Sequence, residues 1–225
     1  MQHDNIDPTR RPVIFLGPSL RVADARLLLE ADYRPPARHA DVLRAARERP
    51  PLIGLIDGEF LANLPPSPME VLEALRTCVP ILGSSSLGAL RAVELERYGM
   101  IGIGAIFEMF RNGELVADDE VALVFAPDDL RALSEPLVNI RYALTSALQA
   151  GVITSRERMR LLGLARKIYF AERSWPLLLQ KAGKRVPADT INRLRDFLAS
   201  GDFDLKKQDA VLLLQRAHQF IESYA

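Results

Sequence analysis

The sequence predicts an α/β protein, with an N-terminal, mostly parallel sheet flanked by helices and an all-helical C-terminal part. Up to about residue 126, short apolar runs alternate with amphipathic helical stretches, whereas only helical patterns follow from Asp129 onward. Apolar runs without polar alternation are typical of strands that helices cover on both faces, which is the pattern of a parallel sheet. The alternation of strand and helix therefore favours a Rossmann-like arrangement for the first half.

Three strands carry the clearest signal, because each is a compact apolar run that a helical pattern follows. These runs are VIFLG at 13–17, PLIGLID at 51–57 and VPILG at 79–83. A shorter strand is expected around Tyr33, ahead of a helix over 40–48, and EVALVFA at 120–126 is the last strand candidate. The glycines of YGMIGIG, residues 98–104, are expected to end one helix and open the next.

Residues typical of helix ends indicate where the helices of the second half begin and end. Thr154 and Glu157 predict a capping box, since a hydroxyl and a carboxylate three residues apart can each satisfy a free amide at a helix start. The last helix is expected over about 205–223, with an apolar stripe at spacings of three and four. The stripe consists of Ala210, Leu214, Ala217 and Ile221.

These patterns divide the chain into three parts. We expect a flexible N-terminus over 1–11, an α/β core over 12–128 and a helical region over 129–225. The break near residues 126 to 129 is a change of structural class without a flexible linker, and no repeat period or low-complexity segment interrupts either half.

Composition limits the function. The 225 residues carry 29 Lys and Arg against 29 Asp and Glu, so no net field would gather nucleic acid or an anionic membrane. Cys78 is the single cysteine, so an internal disulfide is excluded and a structural zinc lacks its usual thiolates. It is expected in the core, and a sulfur-relay role would require an exposed thiol with a lowered pKa. No window approaches the roughly 18 apolar residues of a membrane span. We therefore expect a cytoplasmic protein with no nucleic-acid or membrane partner, no metal and no cofactor.

Polar or tight-turn residues follow three of the predicted strands. In a parallel α/β sheet, the side chains that do chemistry collect outside the carboxyl ends of the strands, where loops turn and helix N-termini point. A site is therefore predicted at this edge of the sheet. The three clusters are Gly17, Pro18 and Ser19; Asp57, Gly58 and Phe60; and Gly83 to Ser86.

The helix after the serines is predicted to start without an acidic residue. Its first turn begins with Leu87 and Gly88 and contains no Asp or Glu, so no acidic side chain can accept hydrogen bonds from the exposed amides there. A carboxylate, phosphate or developing oxyanion can approach such a start, with a gain of about 0.3 to 2 kcal/mol. Arg91 is expected to lean toward the same pocket, and Glu94 to orient Arg91 through an ion pair three residues apart.

Two interpretations of the serines stay open. In one, Ser85 or Ser86 is a helix N-cap, worth about 1 kcal/mol. In the other, a hydroxyl at this strand-to-helix turn faces a bound carbonyl as a nucleophile or hydrogen-bond donor. The GxSxG elbow of the serine hydrolases is absent, because Ser84, Leu87 and Gly88 do not fit it, and no histidine base is evident.

The string GSSSLGALRAVEL, followed by YGMIGIGAIFEMFRNGELVADDEVAL, closely resembles the core of the TfuA-like proteins. PVIFLGPSL, YRPPA and IGLIDGEF resemble the opening motifs of the same family, so the likeness runs from about residue 12 to 126. TfuA-like proteins are associated with YcaO enzymes in peptide thioamidation. The resemblance implies a sulfur-delivery partner that takes a thiocarboxylated, ThiS-like ubiquitin-fold carrier. It would release sulfide for the YcaO enzyme, which converts an amide of a precursor peptide to a thioamide.

The resemblance also implies which residues form the site. The family's motifs mark residues at the strand ends and at the helix start, and they also mark an acidic triplet, Asp118, Asp119 and Glu120. Judged from residue types alone, this triplet is either a Mg²⁺ site or a solvated loop. The expected catalytic residues are Ser85, Ser86, Arg91, Asp57, Glu94 and Asp119, and the expected substrate-binding residues are Gly17, Pro18, Ser19, Gly58, Ser84, Gly88, Asp118 and Glu120.

Two functional hypotheses follow. The first is an accessory hydrolase that cleaves the carrier thiocarboxylate, by direct attack of water or through a seryl intermediate, with Asp57 or Asp119 as general base. The second is a non-catalytic module that recruits the carrier or the peptide. It is supported by Pro68 and Met69, which stand where family members commonly place a His-Lys pair. A nucleotide-binding α/β protein is a third hypothesis.

Overall fold

The computed structural model describes residues 10–59, 64–183 and 185–223, so most of the expected flexible N-terminus and Phe60 lie outside the described residues. The chain divides into two compact units. The first runs to Val116 and takes up the chain again from Lys206, and the second is Ala117–Leu205. No helix in the described part of the chain combines the length and the apolar character that a membrane crossing requires.

The first unit contains a five-stranded, fully parallel sheet with flanking helices, which confirms the predicted fold class. Its spatial order is β2-β1-β3-β4-β5. The three strands predicted from apolar runs are present, and so is the short strand at Tyr33. The strands are β1 (Val13–Phe15), β2 (Asp32–Arg34), β3 (Ile53–Leu55), β4 (Ile81–Ser84) and β5 (Ile101–Ile103).

The strand order places three carboxyl ends side by side. Phe15 of β1 pairs with Leu55 of β3, and Leu55 pairs in turn with Gly83 of β4. The chain leaves β1 toward β2 on one side, whereas β3 lies on the other side of β1, so the order reverses between β1 and β3. Open α/β sheets bind ligands at such a reversal, outside the carboxyl ends of the strands.

Helices cover both faces of this sheet. The last helix of the chain packs on it as well, since Leu213 and Leu214 belong to the same buried apolar cluster as Ile14 of β1. Gly54 allows this close packing, because a Cβ there would lie 2.6 Å from Ile14 Cδ1 and 3.0 Å from Leu213 Cδ2. The helices of this unit are α1 (Val22–Ala25), α2 (Asp41–Arg47), α3 (Pro68–Leu75), α4 (Leu87–Leu95), α5 (Ala105–Arg111) and α10 (Leu205–Glu222), with a 3-10 turn at Glu96–Tyr98.

The second unit is helical and has its own buried apolar cluster, which includes Ile140, Leu161, Leu178 and Leu194. Thr154 and Glu157 form the predicted capping box at the start of its second helix. The elements of this unit are a 3-10 turn at Asp118–Glu120 and the helices α6 (Leu137–Gln149), α7 (Ser155–Ala165), α8 (Trp175–Ala182) and α9 (Ala188–Ala199).

Strand β5 is absent from the sequence prediction. Gly99 and Gly104 end one helical turn and open the next helix, as expected, and both have a φ of +100°, which favours glycine. Between them the chain forms an edge strand, where a helix boundary alone was expected. Gly102 lies in the middle of this strand because the Phe107 ring packs against it: a Cβ there would lie 2.1 Å from Phe107 Cε2.

Two further expectations are wrong. The strand candidate at 120–126 is a buried loop, whose Val124 amide donates to Ser134 Oγ at 2.9 Å. An apolar run indicates burial, and here the segment forms an isolated antiparallel bridge, Phe125 with Ala132, in place of the expected strand. Cys78, expected in the core, is exposed. It closes the turn after α3 with a φ of +64°, and its amide donates to the Leu75 carbonyl at 3.0 Å.

Candidate active site

Three polar side chains from the three neighbouring strand ends are joined by hydrogen bonds. The Ser85 hydroxyl after β4 donates to Ser19 Oγ at 2.9 Å. The Ser19 hydroxyl after β1 donates to Asp57 Oδ1 at 2.7 Å, and Asp57 follows β3 after one further apolar residue. All three residues are buried. The structure thus brings together one predicted residue from each strand end, in the order Ser85, Ser19, Asp57.

Asp57 is the anchor of this chain of bonds. Its Oδ2 accepts the Gly17 amide at 2.9 Å and the Ser19 amide at 3.0 Å. Its Oδ1 accepts the Ser19 hydroxyl and lies 3.9 Å from Lys206 Nζ at the start of α10. A buried carboxylate needs such donors, because removal from water otherwise disfavours its charge. Asp57 therefore fixes the loop after β1 and the orientation of the Ser19 hydroxyl.

Ser85 occupies a strained turn between β4 and α4. Its φ is +64°, and the amide of Ser86 donates to the carbonyl of Ser84 at 2.7 Å, which closes a γ-turn around Ser85. A non-glycine residue in this conformation costs about 1 to 3 kcal/mol. Ser85 shares a positive φ with Ala40, Arg49, Cys78 and Leu130, and it differs from them in lying at the carboxyl edge of the sheet within a buried polar network. The serine elbow of α/β hydrolases is likewise a sharp strand-to-helix turn. This chain forms a comparable turn without the GxSxG spacing.

The neighbouring serines have different contacts. Ser86 takes the N-cap position of α4, yet its side chain makes no capping hydrogen bond. The Ser84 hydroxyl donates to the carbonyl of Asp209 in α10 at 2.9 Å. Capping therefore explains why Ser86 stands at the start of α4. It does not explain the hydrogen bonds that the Ser84 and Ser85 hydroxyls make.

The start of α4 packs closely against β3. The Gly88 amide donates to the Ile56 carbonyl at 3.3 Å, and a Cβ on Gly88 would lie 1.7 Å from the Leu55 carbonyl oxygen. At Gly58 a Cβ would lie 2.1 Å from Leu87 Cδ2. These two glycines, expected to bind substrate, thus allow α4 to approach the sheet. Pro18, expected in the same role, is half-buried in the loop that Asp57 holds.

Arg91 contacts a different part of the first unit than expected. Its Nε donates to the Pro66 carbonyl at 2.7 Å, and its Nη1 donates to Glu94 Oε2 at 2.7 Å, which is the ion pair predicted from the spacing. The Arg91 side chain is only 12% exposed. Its hydrogen bonds therefore link α4 to the segment before α3, and none of them reaches Ser85 or Asp57.

The acidic triplet belongs to the second unit. Glu120 is buried and forms a bidentate pair with Arg141, at 2.7 Å to Nε and 2.6 Å to Nη2. Asp119 accepts from Nη2 of the fully buried Arg173 at 2.9 Å, and Asp118 is exposed. Two of the three carboxylates are thus already neutralised by arginines. No group of three potential metal ligands occurs among the residues that the structure describes.

Sequence reasoning missed Lys206 and Asp209 of α10, which are both buried. The two Asp209 carboxylate oxygens accept the Ala105 and Ile106 amides at 2.9 and 2.8 Å, so this residue caps α5 from the far end of the chain. Burial raises the pKa of Asp209 to about 6, against the lowering effect of these two amides. The sequence pattern could have indicated that both are buried, because Lys206 and Asp209 lie at spacings of three and four residues on the same helix stripe as the buried Leu213.

A model of the TfuA-like protein family matches residues 57–174, which is more than half of the chain. The match begins at Asp57 and extends into the helical part, beyond the end of the motif likeness near residue 126. It includes Ser85, whereas Ser19 and Lys206 lie outside it. Among curated proteins, none matches this chain. The chain belongs to the TfuA-like family, whose members are accessory proteins of YcaO-type enzymes in thioamidation.

Proposed function

We propose that this protein supplies sulfur to a YcaO-type partner by hydrolysing the C-terminal thiocarboxylate of a ThiS-like carrier. The carrier thiocarboxylate and water would give the carrier carboxylate, hydrogen sulfide ion and a proton. The observation that supports this proposal most strongly is the strained Ser85 turn, with its hydroxyl connected through Ser19 to Asp57. Strain and a buried polar relay are both typical of sites that do chemistry.

In the covalent route, Ser85 Oγ attacks the carbonyl carbon of the thiocarboxylate, and the carbon–sulfur bond breaks to release sulfide. The Ser85 proton passes to Ser19 Oγ while the Ser19 proton passes to Asp57 Oδ1, along the two observed hydrogen bonds. Asp57 then gives up this proton to the departing sulfur, which leaves as the hydrogen sulfide ion. Water then hydrolyses the seryl ester, which regenerates Ser85 and yields the carrier carboxylate. In the direct route, water attacks the same carbon and Ser85 only donates a hydrogen bond to the reacting group.

The substrate is an anion, so attack on its carbonyl requires positive charge nearby. Lys206 supplies a buried cation 3.9 Å from Asp57 Oδ1. Two amides in the first turn of α4 donate to protein carbonyls, the Gly88 amide to Ile56 and the Ala89 amide to Ser86. The cation of Lys206 therefore has a larger role in this proposal than the α4 N-terminus on which the sequence interpretation relied.

A second function, a binding module for the carrier, is favoured by one observation. Ser85 is fully buried, and Asp57 already accepts three hydrogen bonds. A carrier tail reaches the Ser85 hydroxyl only after the groups that cover it move. If they do not move, the protein would bind the carrier without cleaving it. Met69, in one of the two positions where relatives commonly have His-Lys, is exposed and offers no proton-transfer group.

One experiment separates the two functions. The full-length protein is mixed with thiocarboxylated carrier, without a YcaO enzyme, and both sulfide release and carrier binding are measured. A hydrolase liberates sulfide over many turnovers, and we expect Ser85→Ala to lower its rate by about 100-fold or more. Ser86→Ala is the matched control, because the Ser86 side chain makes no capping bond. Binding without sulfide release would identify the module, and undiminished release by Ser85→Ala would eliminate the covalent route.

A further inference from the structure

We propose that the second unit binds an acidic, amphipathic segment of a partner protein along helix α8. Two grooves flank this helix, and Gln180 lines both. The lysine groove, of about 530 Å³, is lined by Leu164, Lys167, Ile168, Leu177, Lys181 and Arg185. The tryptophan groove, of about 570 Å³, is lined by Trp175, Pro176, Leu179, Arg195 and Leu198. This proposal does not depend on the chemistry of Ser85.

The lysine groove combines apolar side chains with exposed cations. Leu164 and Ile168 are buried at its base, and Leu177 is half-buried. Lys167, Lys181 and Arg185 are exposed at its rim. The backbone that carries Arg185 is held in place, because Arg160 Nη1 donates to the Arg185 carbonyl at 3.0 Å. The three cations thus converge on one groove whose floor is apolar.

Charge complementarity indicates the chemistry of the occupant. Elsewhere in this unit arginines meet carboxylates, as in Arg193 with Asp189 at 3.1 Å. Within the described residues, Lys167, Lys181 and Arg185 form no such pair, and no Asp or Glu lines either groove. Cations gathered without counter-charges repel one another and attract carboxylates from a partner, which sets specificity and orientation. The occupant therefore carries Asp or Glu opposite this rim.

The tryptophan groove adds an apolar surface on the other side of α8. Trp175, Leu179 and Leu198 line it, and tryptophan is one of the residue types enriched among the residues that dominate binding energy in interfaces. An amphipathic helix places apolar anchors at spacings of three and four residues, and its acidic side chains can border that apolar stripe. Such a segment satisfies both grooves, because its apolar face packs at Trp175 while its carboxylates reach Lys181 and the neighbouring cations.

The test uses a fluorescein-labelled helical peptide of Leu and Glu in an amphipathic pattern, and a counterpart in which every Glu is Gln. Fluorescence anisotropy measures the binding of each probe to the full-length protein. We expect the Glu probe to bind at least about 10-fold more tightly than the Gln probe, and to weaken as salt is added. Equal binding of the two probes, or no binding of the Glu probe, would overturn the proposal.

Charge reversals locate the binding. Lys167→Glu and Lys181→Glu are each expected to weaken binding of the Glu probe by about 5- to 10-fold. Arg156→Glu is the matched control, because Arg156 is an exposed cation in the first turn of α7 and lines neither groove. Circular dichroism checks that each variant is folded. An equal loss with Arg156→Glu would contradict the proposal.

Two further measurements separate a partner segment from a second copy of this chain and from the Ser85 site. Sedimentation of the protein alone measures self-association, and a dimer that Lys181→Glu disrupts would mean that a second copy occupies the grooves, against the proposal. Ser85→Ala protein is expected to bind the probe as the wild type does. Probe binding therefore fails or succeeds independently of sulfide release, so the two proposals are tested separately.

Discussion

The hydroxyl of Ser85 donates to the hydroxyl of Ser19 at 2.9 Å, although the two residues are 66 positions apart in the chain. This bond joins the loop after β1 to the turn after β4. Since Ser19 in turn donates to Asp57, the two loops and the end of β3 share one buried polar network. A buried network in which every polar group has a partner fixes the positions of its members, so a substitution at one of them alters the positions and hydrogen bonds of the others.

Ser19→Ala is expected to uncouple Ser85 from Asp57. The change removes a donor to the buried carboxylate and an acceptor for Ser85, so we expect a loss of about 1 to 3 kcal/mol in the free energy of unfolding, measured with urea. If the relay serves the proposed hydrolysis, sulfide release should fall about 10- to 100-fold at equal folded fraction. Release at the wild-type rate by folded Ser19→Ala protein would show that the relay is structural only.

Lys206→Met is expected to destabilise the first unit. Methionine fills a similar volume but leaves the buried Asp57 carboxylate without its cation, and loss of one partner of a buried pair costs about 3 to 5 kcal/mol. The double variant Lys206→Met with Asp57→Asn should recover part of this loss, because no buried charge then remains uncompensated. Urea unfolding of the four proteins gives the coupling energy directly. A coupling energy near zero would mean that the two side chains do not interact.

Asp209 is expected to make stability fall between about pH 4 and pH 6. Its pKa is raised from 3.8 to about 6, so in this window the folded protein holds a proton that the unfolded chain has already released. The stabilisation is present below the unfolded pKa and is lost as the pH rises through the folded pKa, by about 3 kcal/mol in total. Urea unfolding at several pH values should show this component in the wild type and not in Asp209→Asn, which cannot titrate.

Gly88→Ala and Gly163→Ala are expected to have opposite effects on stability. Both glycines lie in helices, but a Cβ on Gly88 meets the Leu55 carbonyl oxygen at 1.7 Å, whereas a Cβ on Gly163 meets no atom within 4 Å. Displacing α4 from β3 should cost about 2 kcal/mol or more. Alanine at Gly163 should instead stabilise α7 by up to about 1 kcal/mol. Thermal unfolding compares them, and equal shifts would contradict the close packing of α4.

The convergence of strand ends was predictable, because it depends on a general rule for parallel sheets. Each of the runs at β1, β3 and β4 is apolar over its whole length, which indicates burial on both faces. Ser19, Asp57 and Ser85 then follow as neighbours. The order of the hydrogen bonds was not predictable, because it depends on the positive φ of Ser85. Position 85 is not a glycine and the GxSxG spacing is absent, so no sequence pattern predicts that turn.

Other parts of the site depend on tertiary contacts that no local pattern encodes. Spacing predicted the Arg91–Glu94 pair correctly, but the acceptor of Arg91 Nε is the Pro66 carbonyl, 25 residues away in the chain. Lys206 was overlooked because its segment reads as one more helix of the C-terminal region. An edge strand such as β5 has a weak signal, since it is only three residues long and contains a glycine.

The return of α10 to the sheet has a consequence for the order of folding during synthesis. Leu213 of α10 completes the core over Gly54, and Asp209 caps α5, so the first 116 residues cannot reach their final state while α10 is still inside the ribosome. The Ala117–Leu205 unit is one contiguous segment, so it leaves the ribosome completely before the last helix of the first unit has been synthesised and released. A nascent chain stalled before residue 206 would therefore expose an unfinished sheet, which is the species that chaperones recognise.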